Sequence, residues 1–327
     1  MQNTITKQRV GLNSLKKFAS GNSIVLVVLA MIFVATLAEG TQFLSLQNFM
    51  NILRNHSVIG IIALGMSFVI ISGNIDLSVG AQMVAVAAIT VSFVNSTGNV
   101  VVGIIIAILS GCLMSTATGI IVTKGRVPSF IVTLGMQYIY RSLSMFFMSG
   151  GGFYLDKTKA PFYTQISNYN LFGKIPMSVI YYALMFVLFW FISRYTRLGR
   201  HIYAVGSNEK ATRLSGINTD RIKILAFTLL GLAISVAAVV ESSRMGSINS
   251  TSSGNAYELN AIAMTVIGGI SMEGGKGRIS GALYGMLILG IINNMITLLG
   301  VNVYLINAFK GLIIIGAVLL QRKDREL

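Results

Sequence analysis

Ten apolar stretches, each close to membrane length, fill most of this chain, and one long hydrophilic segment, Thr196–Lys223, interrupts them. About 20 helical residues cross a hydrocarbon core. Lipid offers no partner to a free backbone N–H or C=O, so a spanning segment must satisfy its own groups. The runs fall near 22–38, 57–74, 76–96, 100–123, 127–149, 177–195, 222–243, 258–272, 279–299 and 302–321. They are continuous rather than alternating, which excludes a membrane β-barrel. Their Gly, Ala and Ser content suits close packing of helices in lipid. Only 11% of residues are charged, about half the share of a soluble domain. The predicted fold class is therefore all-α, a polytopic membrane helical bundle with about ten transmembrane helices.

The formal net charge of +15 raises nucleic acid as a partner, and the placement of the charges argues against it. With the N-terminus inside and ten crossings, 18 of the 25 Lys and Arg residues fall inside, five outside (Arg54, Lys157, Lys159, Lys174, Arg244) and two within spans (Arg141, Lys310). That is the positive-inside pattern, with both termini cytoplasmic. The expected organisation is a basic arm over 1–20 and a single transmembrane domain over 21–327. The run Ile24–Ala38 superficially resembles a signal peptide, but nine further spans favour a retained first helix. Cys112 is the only cysteine, His56 and His201 are far apart, and no ligand spacing implies a metal or another cofactor. The segments Gly150–Pro176 and Arg244–Asn255, the second Ser/Asn-rich and irregular, are external and read either as solvated loops or as a place for a soluble partner to meet. A faint echo between Ala63–Ala81 and Ala261–Ala282 is weaker than a repeat.

Four places carry chemistry. In Gly73-Asn-Ile-Asp-Leu-Ser-Val-Gly80, Asp76 is placed to cap the following helix, and Gly73 and Gly80 permit a reversal and close packing. Glu273-Gly-Gly-Lys-Gly-Arg278 lacks the upstream Gly and the following Ser/Thr of a phosphate loop, so it reads as a basic reversal. Arg141, with Gln137 one turn earlier, lies inside the fifth span. It serves either substrate or structure, through an ion pair with Glu241 or bonds to the carbonyls of a broken helix. In the interrupting segment, Ser207 or Asn208 can cap a short helix over Glu209–Leu214 that Gly216 terminates, with Glu209 and Arg213 as a favourable i, i+4 pair. A long ordered basic segment on a membrane bundle suggests a docking partner. Acidic residues sit near span ends, which disfavours the carboxylate relay of an ion-driven pump.

Together, Gly-x-Ile-Asp-Leu-Ser-Val-Gly at 73–80, Lys-Gly-Arg-Val at 124–127, Thr-Arg-Leu-Gly-Arg-x-Ile-Tyr-Ala at 196–204 with its continuation to Ile217, and Gly-Gly-Lys-Gly-Arg-Ile at 274–279 resemble the permease subunits of bacterial ribose-type ABC importers. The resemblance implies a multi-pass protein of the bacterial inner membrane that is paired with itself or a related permease. It also implies cytoplasmic ABC ATPase subunits, a periplasmic or extracellular sugar-binding protein, and no ATP hydrolysis by this chain. On that footing, 196–223 is the coupling loop, with Asn208, Glu209, Ala211, Arg213, Leu214 and Gly216 the residues expected to seat on the ATPase. A neutral monosaccharide needs weak hydrogen-bonding partners, which Ser67, Ser72, Asn74, Gln137, Arg141 and Asn293 can supply. The alternative is an ion-coupled secondary sugar transporter.

Overall fold

The computed structural model describes residues 23–40 and 43–300, together with residues 305, 308, 311 and 312. The expected basic arm, the tenth span near 302–321 and both termini lie outside the described residues or almost so. Among the described residues the chain is a helical bundle with two small two-stranded sheets on one face. Its long helices are α1 (Ser23–Glu39), α2 (Leu46–Ile71), α3 (Val79–Thr97), α4 (Val100–Gly125) and α5 (Ser129–Phe147). After an excursion outside the bundle come α7 (Met177–Tyr195), the short pair α8 (Arg197–Ser207) and α9 (Glu209–Leu214), then α10 (Thr219–Met245), α11 (Tyr257–Ile267) and α12 (Ile279–Leu298).

Six of these are long and apolar enough to cross a membrane: α2, α3, α4, α7, α10 and α12. The other expected spans differ for identifiable reasons. Helix α1 has 17 residues. Helix α5 has 19, but Ser129, Thr133, Gln137, Tyr140, Arg141 and Ser144 dilute its apolar character. The expected span 258–272 is corrected most: α11 has only 11 residues and ends at Gly268, after which the chain turns repeatedly to Arg278. Such a helix rises about 16 Å at 1.5 Å per residue, too little to cross the hydrocarbon core alone.

Helix α10 is the centre, packed against α4, α2 and α3, while α2 also packs on α12, α7 and α11. From Gly60 to Ile71 the sequence of α2 is apolar on nearly every side, as a helix surrounded by neighbours should be, and that stretch is wholly buried. Helices α4 and α10 cross where small residues allow backbones to meet. A side chain at Gly111 would overlap Ser235, and one at Gly119 would press within 3 Å of Phe227. By contrast α4 and α7 turn Ile105, Leu109, Leu113, Leu184 and Val187 outward, which suits a surface wetted by lipid.

One face of the bundle carries 150–176 and 244–256. These are not solvated irregular loops. Strand β1 (Gly152–Tyr154) pairs antiparallel with β4 (Ser247–Asn249), placing Phe153 opposite Ile248. The one-turn helix α6 (Gln165–Asn168) and the β2–β3 hairpin (Asn170–Leu171, Ile175–Pro176) follow. Tyr163 is fully buried and its hydroxyl lies 2.7 Å from Ser242 Oγ, while Ser167 Oγ donates to the Val240 carbonyl at 2.8 Å. The segment is thus bolted onto the end of α10. The opposite face gathers Gly73, the α4–α5 turn, the α8–α9 segment and the turn at 271–278.

Candidate functional site

The interrupting segment is mostly helix. Leu198, Ile202 and Val205 recur at helical spacing, so α8 lies with Ile202 and Val205 buried and Arg197 and Arg200 exposed. Its N-cap is Thr196, whose Oγ1 accepts from the Gly199 amide at 3.1 Å. Asn208, rather than Ser207, caps α9: its Oδ1 accepts from the Ala211 amide at 2.9 Å. Gly216 sits at φ +83, where its amide donates to the Arg213 carbonyl and ends the helix. Ala211 and Leu214 face outward, and Leu214 is 89% exposed.

A charged network fastens α9 to the bundle. Glu209 bonds Lys223 at 2.6 Å and Arg213 at 3.2 Å; Arg213 also reaches Asp220 at 3.1 Å, and Asp220 meets Lys124 at 3.4 Å. Thr219 Oγ1 donates to Glu209 and accepts from Arg213. Isolated exposed pairs contribute little, but a shared network holds geometry better. Burial raises the Glu209 carboxyl, and the Lys223 hydrogen bond and charge, with Thr219 and Arg213, outweigh this and hold it below the ordinary carboxylate range. Glu209, Arg213, Asp220 and Lys223 line a cavity of about 620 Å³ whose other wall includes Asn74, Thr123 and Arg126.

A second attachment is made of backbone. The Gly275 amide donates to the Ile71 carbonyl at the end of α2 at 2.8 Å. Any side chain on Gly206, in the last turn of α8, would overlap that same carbonyl and press on the Gly275 nitrogen, and Gly274 lies against Gly206 and Gly73. The basic reversal at 273–278 is therefore a packing junction between α8, the end of α2 and the approach to α12. Within the expected loop over 196–223, sequence reasoning did not single out α8, Gly206, Thr219, Asp220 or Lys223, and it placed Lys124 outside the loop. The apolar spacing of α8 was readable; the partners of Glu209 were not, because they join through space.

The six expected path residues are not gathered in one place. Ser67 Oγ and Ser72 Oγ return their protons to Ala63 and Val69 of their own helix, and Asn74 donates to Ser72. Of the six, Asn74 alone lines the 620 Å³ cavity. Asn293 lies on α12, its Nδ2 3.4 Å from His56 Nε2, beside the reciprocal amide pair Asn294–Asn48. Gln137 and Arg141 share α5, whose Tyr138, Ile139 and Leu143 are exposed. Arg141 does not meet Glu241. Its guanidinium donates to the carbonyls of Ser250 and Ser253, both at 2.9 Å, and to Asn255 Oδ1 at 3.3 Å, pinning the irregular segment before α11. Glu241 pairs instead with Arg244 at 2.9 Å and accepts from Tyr257.

Asp76 is also corrected. The residue at the N-cap of α3 is Ser78, and Asp76 Oδ1 accepts from both the Ser78 amide at 2.7 Å and its hydroxyl at 2.6 Å. The carboxylate is completely buried, so it shapes the turn into α3 rather than meeting solvent. Gly73 makes the reversal at φ +82, and Gly80 packs directly on the Gly254 carbonyl.

Comparison with known proteins bears on the whole chain. Residues 48–318 match the family described as branched-chain amino acid transport system, permease component. The ribose import permease protein of Escherichia coli (strain K12) is 40% identical over 311 residues, covering 93% of this chain and 94% of that protein. The ribose import permease protein of Bacillus subtilis (strain 168) is 38% identical over 86% of this chain and 87% of its own length. The galactose/methyl galactoside import permease protein of Escherichia coli (strain K12) is 33% identical over 90% and 92%. No solved structure matches.

Proposed function

The chain belongs to the family of branched-chain amino acid transport system permease components, and from that premise we propose that it is the membrane permease subunit of an ABC importer for ribose or a similar pentose or hexose. The sugar reading is supported by the relatives, which are named for ribose and galactose import and align along almost the whole chain. Hydrolysis of ATP falls to separate cytoplasmic ATPase subunits, and capture of the sugar to a soluble binding protein at the opposite face. The chain lies in the bacterial inner membrane with ten crossings and both termini inside, the eighth made by α11 together with the turns that follow it, and its transmembrane domain over 21–327 follows a basic arm over 1–20. Two copies, or one copy and a related permease, enclose the path.

The observation that carries the coupling role is the anchoring of α9. It presents Ala211 and the 89% exposed Leu214 outward, while its inner side is tied to α10 through Lys223 and Asp220, and Asp220 in turn pairs with Lys124 of α4. Helix α8 carries the same displacement to α2 through Gly206 and Ile71. An ATPase that closes on Leu214 therefore moves the ends of three packed membrane helices together rather than bending a loop. Asn208, Glu209, Arg213 and Gly216 preserve the shape and attachment of that lever. The half-exposed face of α5, with Gln137, is the path wall this arrangement favours, and Arg141 shapes it by holding 250–255.

The test is reconstitution. The chain alone in proteoliposomes should not move labelled ribose; with its ATPase subunits, binding protein and ATP it should. Leu214→Asp should still insert but lose ATPase association. Uptake by the chain alone, driven by an ion gradient, would instead support a secondary carrier and overturn the proposal.

A further inference from the structure

A cavity of about 380 Å³ opens beside the C-terminal end of α7, away from the α9 network. Trp190, Ser193 and Arg194 of α7, Tyr203 of α8, and Arg278 and Ser280 at the start of α12 contribute its polar and aromatic lining. It holds two guanidinium groups and no lining carboxylate. Among the described residues, neither Arg194 nor Arg278 has a hydrogen-bond or ion-pair partner. Arg278 is the N-cap residue of α12, and no side chain caps that helix, so its first amides add positive potential beside the two arginines.

In the proposed orientation, the aromatic side chains beside the cavity put it where a bilayer changes from headgroup to hydrocarbon. Trp190 meets Tyr195 edge to face with ring centres 5.4 Å apart, and Tyr195 stacks on Phe191 at 5.5 Å. Exposed aromatic rings of this kind mark the interface. One and two turns deeper, Val187 (57% exposed) and Leu184 (60% exposed) face outward. On α12, Tyr284 and Leu287 follow Ser280 at helical spacing and are half-buried. An apolar track thus leads from the charged cavity into the membrane between two helices that pack together.

We propose that this cavity binds the phosphate of an anionic phospholipid of the cytoplasmic leaflet, with the acyl chains lying along the α7–α12 groove. The paired guanidiniums supply forked donors for a phosphate diester, Ser280 supplies a hydroxyl while that of Tyr203 is held by the Gly277 carbonyl at 3.0 Å and shapes the wall, and the apolar track distinguishes a lipid from a free anion. A lipid held there clamps α8 to the 271–278 turn, the turn that carries the Gly206–Ile71–Gly275 junction. The inference rests on the proposed membrane orientation, not on the sugar or the ATPase.

Native mass spectrometry of the purified full chain in detergent tests it, with dioleoylphosphatidylglycerol and dioleoylphosphatidylcholine as probes. Phosphatidylglycerol should be retained in preference to phosphatidylcholine, and retention should fall about fivefold for each arginine removed in R194A and R278A, from roughly 1 kcal/mol per basic residue at an anionic surface. Arg221→Ala removes an exposed positive charge from the same face outside the cavity and should change nothing. Equal retention of the two lipids, undiminished retention in R194A/R278A, or displacement of the lipid by inorganic phosphate would each overturn the proposal. Should the alanine pair aggregate, a photoreactive phosphatidylglycerol on the unaltered chain decides: crosslinks within 190–203 or 278–287 support the site, and crosslinks elsewhere refute it. Because no ATPase or sugar is present, a failed transport reading and a failed lipid site give separate results.

Discussion

Single residues here act through where their backbone can go. Gly206 has no room for a methyl group, because the atoms it would strike are the Ile71 carbonyl and the Gly275 amide rather than flexible side-chain tips. Gly206→Ala should therefore destabilise by about 1–3 kcal/mol, the usual cost of forcing extra volume into a packed site. Thermal unfolding in detergent measures it, and an unchanged midpoint would refute the junction. Gly216 is a different case: open space surrounds it, but φ is +83. Gly216→Ala should cost about 1 kcal/mol of left-handed strain, and Gly216→Pro, which cannot adopt that φ at all, should abolish coupling while leaving insertion intact. Arg141 is held by two carbonyls and an amide oxygen. Arg141→Ala should speed hydrogen exchange across 249–256. Arg141→Lys should restore it only in part, since one ammonium does not reproduce the forked donors.

At the scale of elements, α8 and α9 form a rigid bracket rather than a loop. Its attachment is electrostatic as well as steric, which gives it a pH dependence of definite sign. Glu209 has a folded pKa below its unfolded value. The stability it lends is then fully present above the unfolded carboxylate range, about 4.3, and is lost as pH falls through the lower folded value. Protection over 209–223, measured as exchange relative to the intrinsic rate at each pH, should be high at neutral pH and fall on acidification through that window, and Glu209→Gln should be less protected at neutral pH with a weaker acid dependence. An acid response identical in Glu209→Gln and the unaltered chain would refute this role. Asn208→Ala should fray α9 by about 1 kcal/mol through loss of the cap, seen as faster exchange at Ala211.

For the whole molecule, the two faces make opposite commitments. In a chain with Cys112 replaced by Ser, cysteine introduced at Phe172, 85% exposed, should label from outside intact cells, and cysteine at Leu214 only after permeabilisation. The reverse pattern would overturn the orientation. The path is decided between helices, so Gln137→Leu on α5 should lower sugar uptake per ATP hydrolysed. Asn293→Leu, whose amide faces His56 within the bundle, should affect stability more than that ratio. Equal losses of transport yield in both variants would instead place Asn293 on the path.

Long apolar runs determined a membrane helical bundle without help from tertiary structure, because a run of that length has few other ways to satisfy its backbone away from water. Local signals also sufficed for α9: an Asn cap, an i, i+4 pair and a terminating Gly act within one turn of each other, and they stand as the sequence implies. Apolar runs do not show where helices break. The apolar composition of 258–272 does not reveal that α11 stops after 11 residues, since the backbone beyond it is satisfied by its own turns and, at Gly275, by the Ile71 carbonyl of α2. The partners of Arg141, the lysine that neutralises Glu209 and the glycine that seats α8 on α2 lie far along the chain or across an interface. Charge and volume specify only that a buried group needs a partner; which residue meets that need is fixed when the helices pack.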